Sequence, residues 1–314
     1  MKRLLAQYSP LFILAGLCVV FAAASQSFRT PDNLRSVASR TSIVGVMALG
    51  QTLVIIAGGI DLSVASVSAL AGVVACDLMV DKGWPVTAAL VLGLAAGAAC
   101  GAVSGLLWTR GRIPPFIATL GMMMVARGLA NILTGSTPIF GLPEPFRYLG
   151  GVHGWQAPVL ITLALALVFA VVLTFTRFGR AIYATGDNAR AARLSGIPVG
   201  QVRVLAFVLA GAMSGFAGML YASRVGIGDP NAAVGWELDA IAACVIGGAS
   251  LTGGQGGCVS SLAGALIMNV LINFSNLKGF DPYYQQVLVG ALVIFLVFYD
   301  SFRKRRAGLL PDDG

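Results

Sequence analysis

Asp61 stands between two apolar runs, with Gly58 and Gly59 before it and Ser63 after it, where one span must break and the next begin. Two kinds of chemistry fit a carboxylate there. It can accept the orphan N–H groups that open the following helix. As an ionisable group at membrane depth it can instead face a cavity, where it would gate a pathway or couple transport to an ion. Arg127, with Asn131 one helical turn later, lies inside the apolar run 114–133. A guanidinium there lines a wet pathway with a partner, or snorkels towards the outer face. Asn269 and Asn273 are four apart and share one helix face, suited to hydrogen bonds between helices or to contact with a polar solute. Glu237 and Asp239 stand where a long loop meets a short apolar segment. Acids at that place suit a solvated helix N-terminus, or a mouth that meets a polar solute or a partner protein.

Other chemistries lack their residues. The single histidine, His153, sits in a glycine-rich loop beside Trp155, so a catalytic triad or zinc site would have to be built around it alone. It reads as a surface-loop residue. Cys18, Cys76, Cys100, Cys244 and Cys258 lie singly in or beside apolar stretches, without a C-x-x-C pair, and read as small buried hydrophobes. Neither a catalytic centre, a metal site nor a cofactor is expected. None of Lys2, Lys82, Lys278 and Lys304 follows the glycine spacing of a phosphate-binding loop, so the chain itself is not expected to hydrolyse ATP.

The elements that must position these residues follow from composition. Of 314 residues, 57 % are hydrophobic and 11 % charged, against roughly 45–50 % and about 25 % in soluble domains. A water-soluble domain is excluded, whereas a bilayer can take runs of about 20 apolar residues. Forty glycines suit close helix packing in lipid. Apolar runs fall at 11–24, 41–58, 62–80, 85–108, 114–133, 157–176, 202–222, 238–248, 257–274 and 285–298. The first reads as an uncleaved span, with a signal peptide as its alternative. The segment 238–248 is short, so hydropathy leaves open whether it crosses.

Charge settles the count. With ten crossings, one side holds Lys2, Arg3, Arg110, Arg112, the five arginines of 177–203, and Arg303, Lys304, Arg305 and Arg306. The other holds Arg29, Arg35, Arg40, Lys82, Arg147, Arg224 and Lys278. The positive-inside rule then puts both termini in the cytoplasm, and nine crossings would move the last basic cluster outside. Nucleic-acid binding is a weaker explanation of the net charge of +8. The expected fold is an all-α polytopic membrane protein with about ten transmembrane helices, a single transmembrane domain over 1–314.

The largest cytoplasmic insertion, 177–203, contains Asp187-Asn188-Ala189-Arg190-Ala191-Ala192-Arg193-Leu194-Ser195-Gly196-Ile197-Pro198. Asp187 or Asn188 can cap an Ala- and Arg-rich helix of about two turns that Gly196 and Pro198 end. So short a helix is unstable alone in water, which suggests that a soluble partner's groove holds it. A seat on lipid headgroups is the weaker alternative, since little bulky apolar surface is present. Gly58-Gly59-Ile60-Asp61-Leu62-Ser63 also echoes Gly247-Gly248-Ala249-Ser250-Leu251-Thr252, each followed by Leu-Ala-Gly, as a trace of duplication or by chance.

Four stretches together resemble the membrane permeases of bacterial ABC importers for monosaccharides of the ribose, xylose, arabinose and galactose type. They are Gly58-Gly59-Ile60-Asp61-Leu62-Ser63-Val64, the helix at 186–198, Glu237-Leu238-Asp239-Ala240-Ile241-Ala242 with Gly247-Gly248, and Asp281-Pro282-Tyr283-Tyr284-Gln285-Gln286. The resemblance spans about the whole chain. It implies a permease of the bacterial inner membrane that pairs with a second permease, as homo- or heterodimer. It further implies a fused double ATPase on the cytoplasmic face and a periplasmic sugar-binding protein on the other. In similar proteins Asn188, Arg190, Ala191, Ala192, Arg193, Leu194, Ser195 and Gly196 form the coupling helix that docks into the ATPase. Asp61, Ser63, Arg127, Asn131, Glu237, Asp239, Asn269 and Asn273 remain the candidates for pathway or gate. Family members often carry Gly where this chain has Ala65, and Glu near the position of Arg190, which loosens the sugar assignment. Related permeases serve furanoses or nucleosides. A stand-alone secondary transporter using Asp61 as an ion site is the alternative from another class.

Overall fold

The computed structural model describes residues 2–151 and 154–306, so His153 lies outside the described residues. Among them are thirteen α-helices: α1 (Lys2–Ala24), α2 (Pro31–Ile56), α3 (Val64–Val80), α4 (Val86–Thr109), α5 (Pro115–Thr134), α6 (Glu144–Arg147), α7 (Gln156–Phe175), α8 (Arg177–Asp187), α9 (Ala189–Leu194), α10 (Val199–Val225), α11 (Trp236–Ile246), α12 (Cys258–Leu277) and α13 (Pro282–Arg306). Each apolar run of the sequence is one of these helices, and α6, α8 and α9 occupy the connections. Six of them, α2, α4, α5, α7, α10 and α12, are long and apolar enough to cross a bilayer. The chain is an all-α polytopic membrane protein.

Helix α2 is the central post. From Thr41 to Ala57 its residues are buried on every side, against α10, α12, α7, α11 and α8. Helices α4, α5 and α7 form the rim, burying one stripe each and turning Val91, Phe116, Leu160 and Leu167 outwards as a lipid-facing surface. Helix ends follow local chemistry. Thr30 accepts from the Asn33 N–H at the start of α2, with Pro31 in the first turn. Gly135 and Gly226 take left-handed conformations that close α5 and α10.

Glycine sets the packing. A Cβ on Gly101 would strike the Phe207 carbonyl, and one on Gly97 or Gly211 would strike the other helix's backbone, so α4 and α10 meet backbone to backbone. Gly218 lies as close to the Ser68 carbonyl of α3. Farther out, Asn33 and Asn273 exchange amide hydrogen bonds of 3.1 and 2.7 Å, fastening the start of α2 to the end of α12.

The short segment is resolved as α11, eleven residues that rise about 16 Å. Its first residue, Trp236, packs edge-on against Tyr221 near the end of α10 and beneath Arg40 of α2. Beyond its last turn the loop 247–257 reaches the opposite end of α2, where the Gly254 N–H donates to the Ile56 carbonyl at 3.0 Å. The chain therefore does pass from one face to the other here, part as helix and part as loop.

Candidate coupling helix and pathway residues

Helices α8 and α9 make up most of the 177–203 insertion, and they differ. Thr176 opens α8 by accepting from the Gly179 N–H at 3.1 Å. Ile182 then buries completely against Leu53, Phe169 and Leu173. The insertion, read from the sequence as one cytoplasmic segment, divides here, since the strongly amphipathic α8 packs one side into the bundle. Helix α9 is the protruding part. The Asn188 carboxamide accepts from the Arg190 and Ala191 N–H groups at 3.1 and 2.9 Å. Only Ala192 is buried, while Arg190, Ala191, Arg193, Leu194, Ser195 and Gly196 are exposed. Leu194 stands 84 % exposed. At six residues α9 is just under two turns, and Gly196, at φ +82°, turns the chain back towards α10.

The α2–α3 connection is held from four directions. Asp61 is almost fully buried, and its Oδ1 accepts from both the Ser63 N–H (2.7 Å) and the Ser63 hydroxyl (2.6 Å). This is an Asx turn that leads into α3, not a cap on its first N–H groups. Burial holds the Asp61 carboxyl above the ordinary carboxylate range, and the two bonds from Ser63 offset only part of that rise. Gln51 of α2 clasps the Asp61 peptide, its amide donating to the carbonyl (3.2 Å) and accepting from the N–H (3.3 Å). Thr119 of α5 donates to the Ile60 carbonyl at 3.3 Å. Gly59 fills a slot between Trp108 and Phe207, rings that meet edge to face, and Arg203 lies 4.1 Å over Trp108.

Towards the other face, Arg127 donates to the Pro230 and Ala232 carbonyls at 2.6 and 3.0 Å. It clamps the inward-dipping loop before α11 rather than snorkelling outwards. Asn131 donates back to the Arg127 carbonyl of its own helix. Glu237 and Asp239 are half-buried in the first turn of α11, within the fields of Arg127 and Arg40 respectively. Asn269 is buried and back-bonds to Ala265, leaving its Oδ1 without a partner among the described residues, whereas Asn273 is engaged by Asn33. The structure thus groups Arg127, Glu237 and Asp239 around one loop. It keeps Asp61 and Ser63 at the opposite face and the two asparagines on α12. Among the described residues no three His, Cys, Asp or Glu side chains gather to hold a metal ion.

A family profile described as the branched-chain amino acid transport system / permease component matches residues 33–297. The chain belongs to this permease family. It is 38 % identical to the ribose import permease protein RbsC of Escherichia coli (strain K12), over 96 % of this chain and 95 % of that protein. It is 41 % identical to the ribose import permease protein RbsC of Bacillus subtilis (strain 168), over 93 % and 91 %. The L-arabinose transport system permease protein AraH of E. coli (strain K12) is 36 % identical over 96 % and 93 %. No solved structure matches the chain. As a permease component, the chain is a multi-pass transport subunit and not an enzyme.

Three residues of this permease escaped the sequence reading. Gln51 was visible only as an amide in an apolar run, a signal that marks interhelical bonding without naming the partner. Tyr183 gave no signal, and Gly186 entered only as the first residue of the stretch 186–198, since what they touch lies in the loop 247–257 and at Ile56, far away in the sequence. The Asx turn also yields a test of Asp61. Asn keeps the accepting oxygen, so Asp61→Asn is expected to fold and transport within about threefold of wild type, because neutralising an already disfavoured charge costs little. Asp61→Leu, which leaves the Ser63 N–H unpaired, is expected to lose about 1–3 kcal/mol. Loss of transport in a well-folded Asp61→Asn would instead mark the carboxylate as an ion site.

Proposed function

We propose that this permease is the membrane subunit of an ATP-driven importer in the bacterial inner membrane. It passes a monosaccharide, pentose or hexose, delivered by a periplasmic binding protein. The observation that carries the coupling part is α9. A capped six-residue helix with Arg190, Arg193 and Leu194 all exposed has almost no anchorage of its own, and an 84 % exposed leucine on the arginine-rich face suits a partner's groove. The sugar class rests on relatives named as ribose, L-arabinose and D-allose permeases. A second permease copy or close relative, a fused double ATPase and residues 1–314 acting as one transmembrane domain complete the proposal.

Asp61 and Ser63 hold the α2–α3 turn at the cytoplasmic side, and Arg127, Asn131, Glu237 and Asp239 shape the outer loop above the pathway. In this reading Asn273 fixes helices, and Asn269, whose Oδ1 has no partner among the described residues, is the asparagine available to a solute. The engagement of Asp61 by Ser63 speaks against the ion-coupled alternative.

The test is affinity purification of the tagged permease from native membranes in mild detergent, with mass spectrometry, followed by uptake of labelled D-ribose, L-arabinose and D-allose. An ATPase bearing two phosphate-binding loops is expected in stoichiometric yield, together with uptake of one of the sugars that stops when ATP is depleted. Intact permease without any ATPase, and uptake abolished by collapsing the proton gradient alone, would overturn the proposal.

A further inference from the structure

Just before α9, three chain segments meet on glycine. A Cβ on Gly186, the penultimate residue of α8, would run into the Ile56 carbonyl and come within 2.5 Å of the Gly254 nitrogen. A Cβ on Gly253 would meet the Gly186 carbonyl at 2.8 Å and the Gly58 Cα at 3.0 Å, and one on Gly254 would meet the Asp187 backbone at 2.9 Å. Two hydrogen bonds bind the same three segments: Gly254 N–H to the Ile56 carbonyl at 3.0 Å, and the Tyr183 hydroxyl of α8 to the Gly256 carbonyl at 2.7 Å. The end of α2, the end of α8 and the loop between α11 and α12 are therefore in backbone contact, without side chains that could give way.

The two loops at this junction are built alike. Helices α2 and α11 end with the same pair of bonds, Gly58 to Ile55 with Gly59 to Val54, and Gly248 to Val245 with Ala249 to Cys244, all at 2.9 Å. Gly58 and Gly248 take φ of +83° and +87°. Each loop then makes a side-chain turn across two residues, Asp61 to Ser63 in one and Ser250 to Thr252 in the other. The side-chain turns match in the register of the sequence echo, whereas the helix ends match one residue out of it, Gly58 answering to Gly248 and not to Gly247. Behind the second loop lies a cavity of about 490 Å³, whose lining includes Tyr183, Gly247, Gly248, Gly256, Gly257 and Ser260. That loop has room to move on the cavity side and none against the ends of α8 and α2, at Gly186, Asp187 and Gly58.

We propose that this junction is the transmission point of the importer, with Gly186 and Tyr183 as positioning residues. A displacement of α9 by a partner ATPase tilts α8, and the Gly186 and Tyr183 contacts drive the loop 247–257 into or out of the cavity. The end of α11 moves with it. The inference rests on the proposed ATPase partnership and goes beyond it by naming the route.

The experiment is hydrogen–deuterium exchange on the purified permease–ATPase assembly, comparing the nucleotide-free state with the state trapped by ATP and vanadate, and reading peptides that cover 247–257. In wild type the exchange rate there is expected to differ by about fivefold or more between the two states, the size of an ordinary coupling between sites. In Gly186→Ala, and in the milder Tyr183→Phe, which keeps the ring and loses only the hydroxyl, that difference is expected to fall to near unity while the ATPase still co-purifies. If Gly186→Ala does not assemble, Tyr183→Phe decides alone. A wild-type assembly with no state dependence in this loop, or a dependence that survives Tyr183→Phe, overturns the transmission role. Wild-type permease that retains no ATPase overturns the importer reading itself, and the junction's role with it.

Discussion

Arg193→Glu in α9 is expected to cut uptake at least about thirtyfold, since reversing a charge at a docking surface costs about 2–5 kcal/mol and each 1.4 kcal/mol is tenfold. The substitution is clean because of where the side chain stands. The Arg193 side chain is exposed and makes no hydrogen bond or ion pair with a described residue, and its positive charge repels that of Arg203. Removing it relieves a repulsion within the permease, so insertion and thermal stability should stay at wild-type values. Leu194→Asp should act as strongly, by placing a carboxylate where a partner's groove would close over an apolar side chain. Asn188→Ala should act more weakly, since it loses a helix cap worth about 1 kcal/mol and leaves the docking surface in place. The measurements are sugar uptake, permease level in the membrane and the amount of ATPase retained on purification. Undiminished uptake in both Arg193→Glu and Leu194→Asp would remove α9 from the coupling path.

The second large effect is on folding. Gly97→Ala combined with Gly101→Ala is expected to abolish the folded, monodisperse permease, at a cost on the order of 3 kcal/mol or more. Both methyl groups would enter the space of α10 backbone atoms at Gly211 and Phe207, and a carbonyl cannot rotate away as a side chain can. An internal control exists on α5. Gly121 and Gly128 have open space where a Cβ would stand, so Gly121→Ala with Gly128→Ala should leave stability unchanged or raise it by up to about 1 kcal/mol per site, from helix propensity. Detergent-solution melting curves and size-exclusion profiles separate the two pairs. Equal stability of both would mean that α4 and α10 do not meet through glycine.

These two expectations differ in how far the sequence alone could lead to them. The exposed helix was legible because capping is local: Asn188, the Ala and Arg that follow, Gly196 and Pro198 lie within eleven residues. The ten apolar runs were legible for the same reason, each being decided within its own length. The α4–α10 seam was not, since Gly97 and Gly211 are over a hundred residues apart and forty glycines offer many pairings. Arg127 shows the same limit at a functional position. Its partners are the backbone carbonyls of Pro230 and Ala232, which every residue owns and no pattern marks. Asp61 was legible as a turn-former, but the clasp from Gln51 needed the α2 helix to bring position 51 against its own loop. The insertion 177–203 divided unexpectedly because the amphipathic side of α8, centred on Ile182, finds α2 and α7 in three dimensions.

The glycine seam also has a history in time. The stripe on α4 is complete once residue 109 has been made, whereas α10, which covers it, ends at residue 225. At about 5–20 residues per second, roughly ten seconds of synthesis separate the two. Through that interval α3, α4 and α5 can pack on one another, but the glycines that α10 covers, Gly72, Gly97 and Gly101, lack their native partner. Closure of the bundle is thus a late event in biosynthesis, and a chain cut short before α10 leaves uncovered both this stripe and the faces of α2 that α10, α11 and α12 bury.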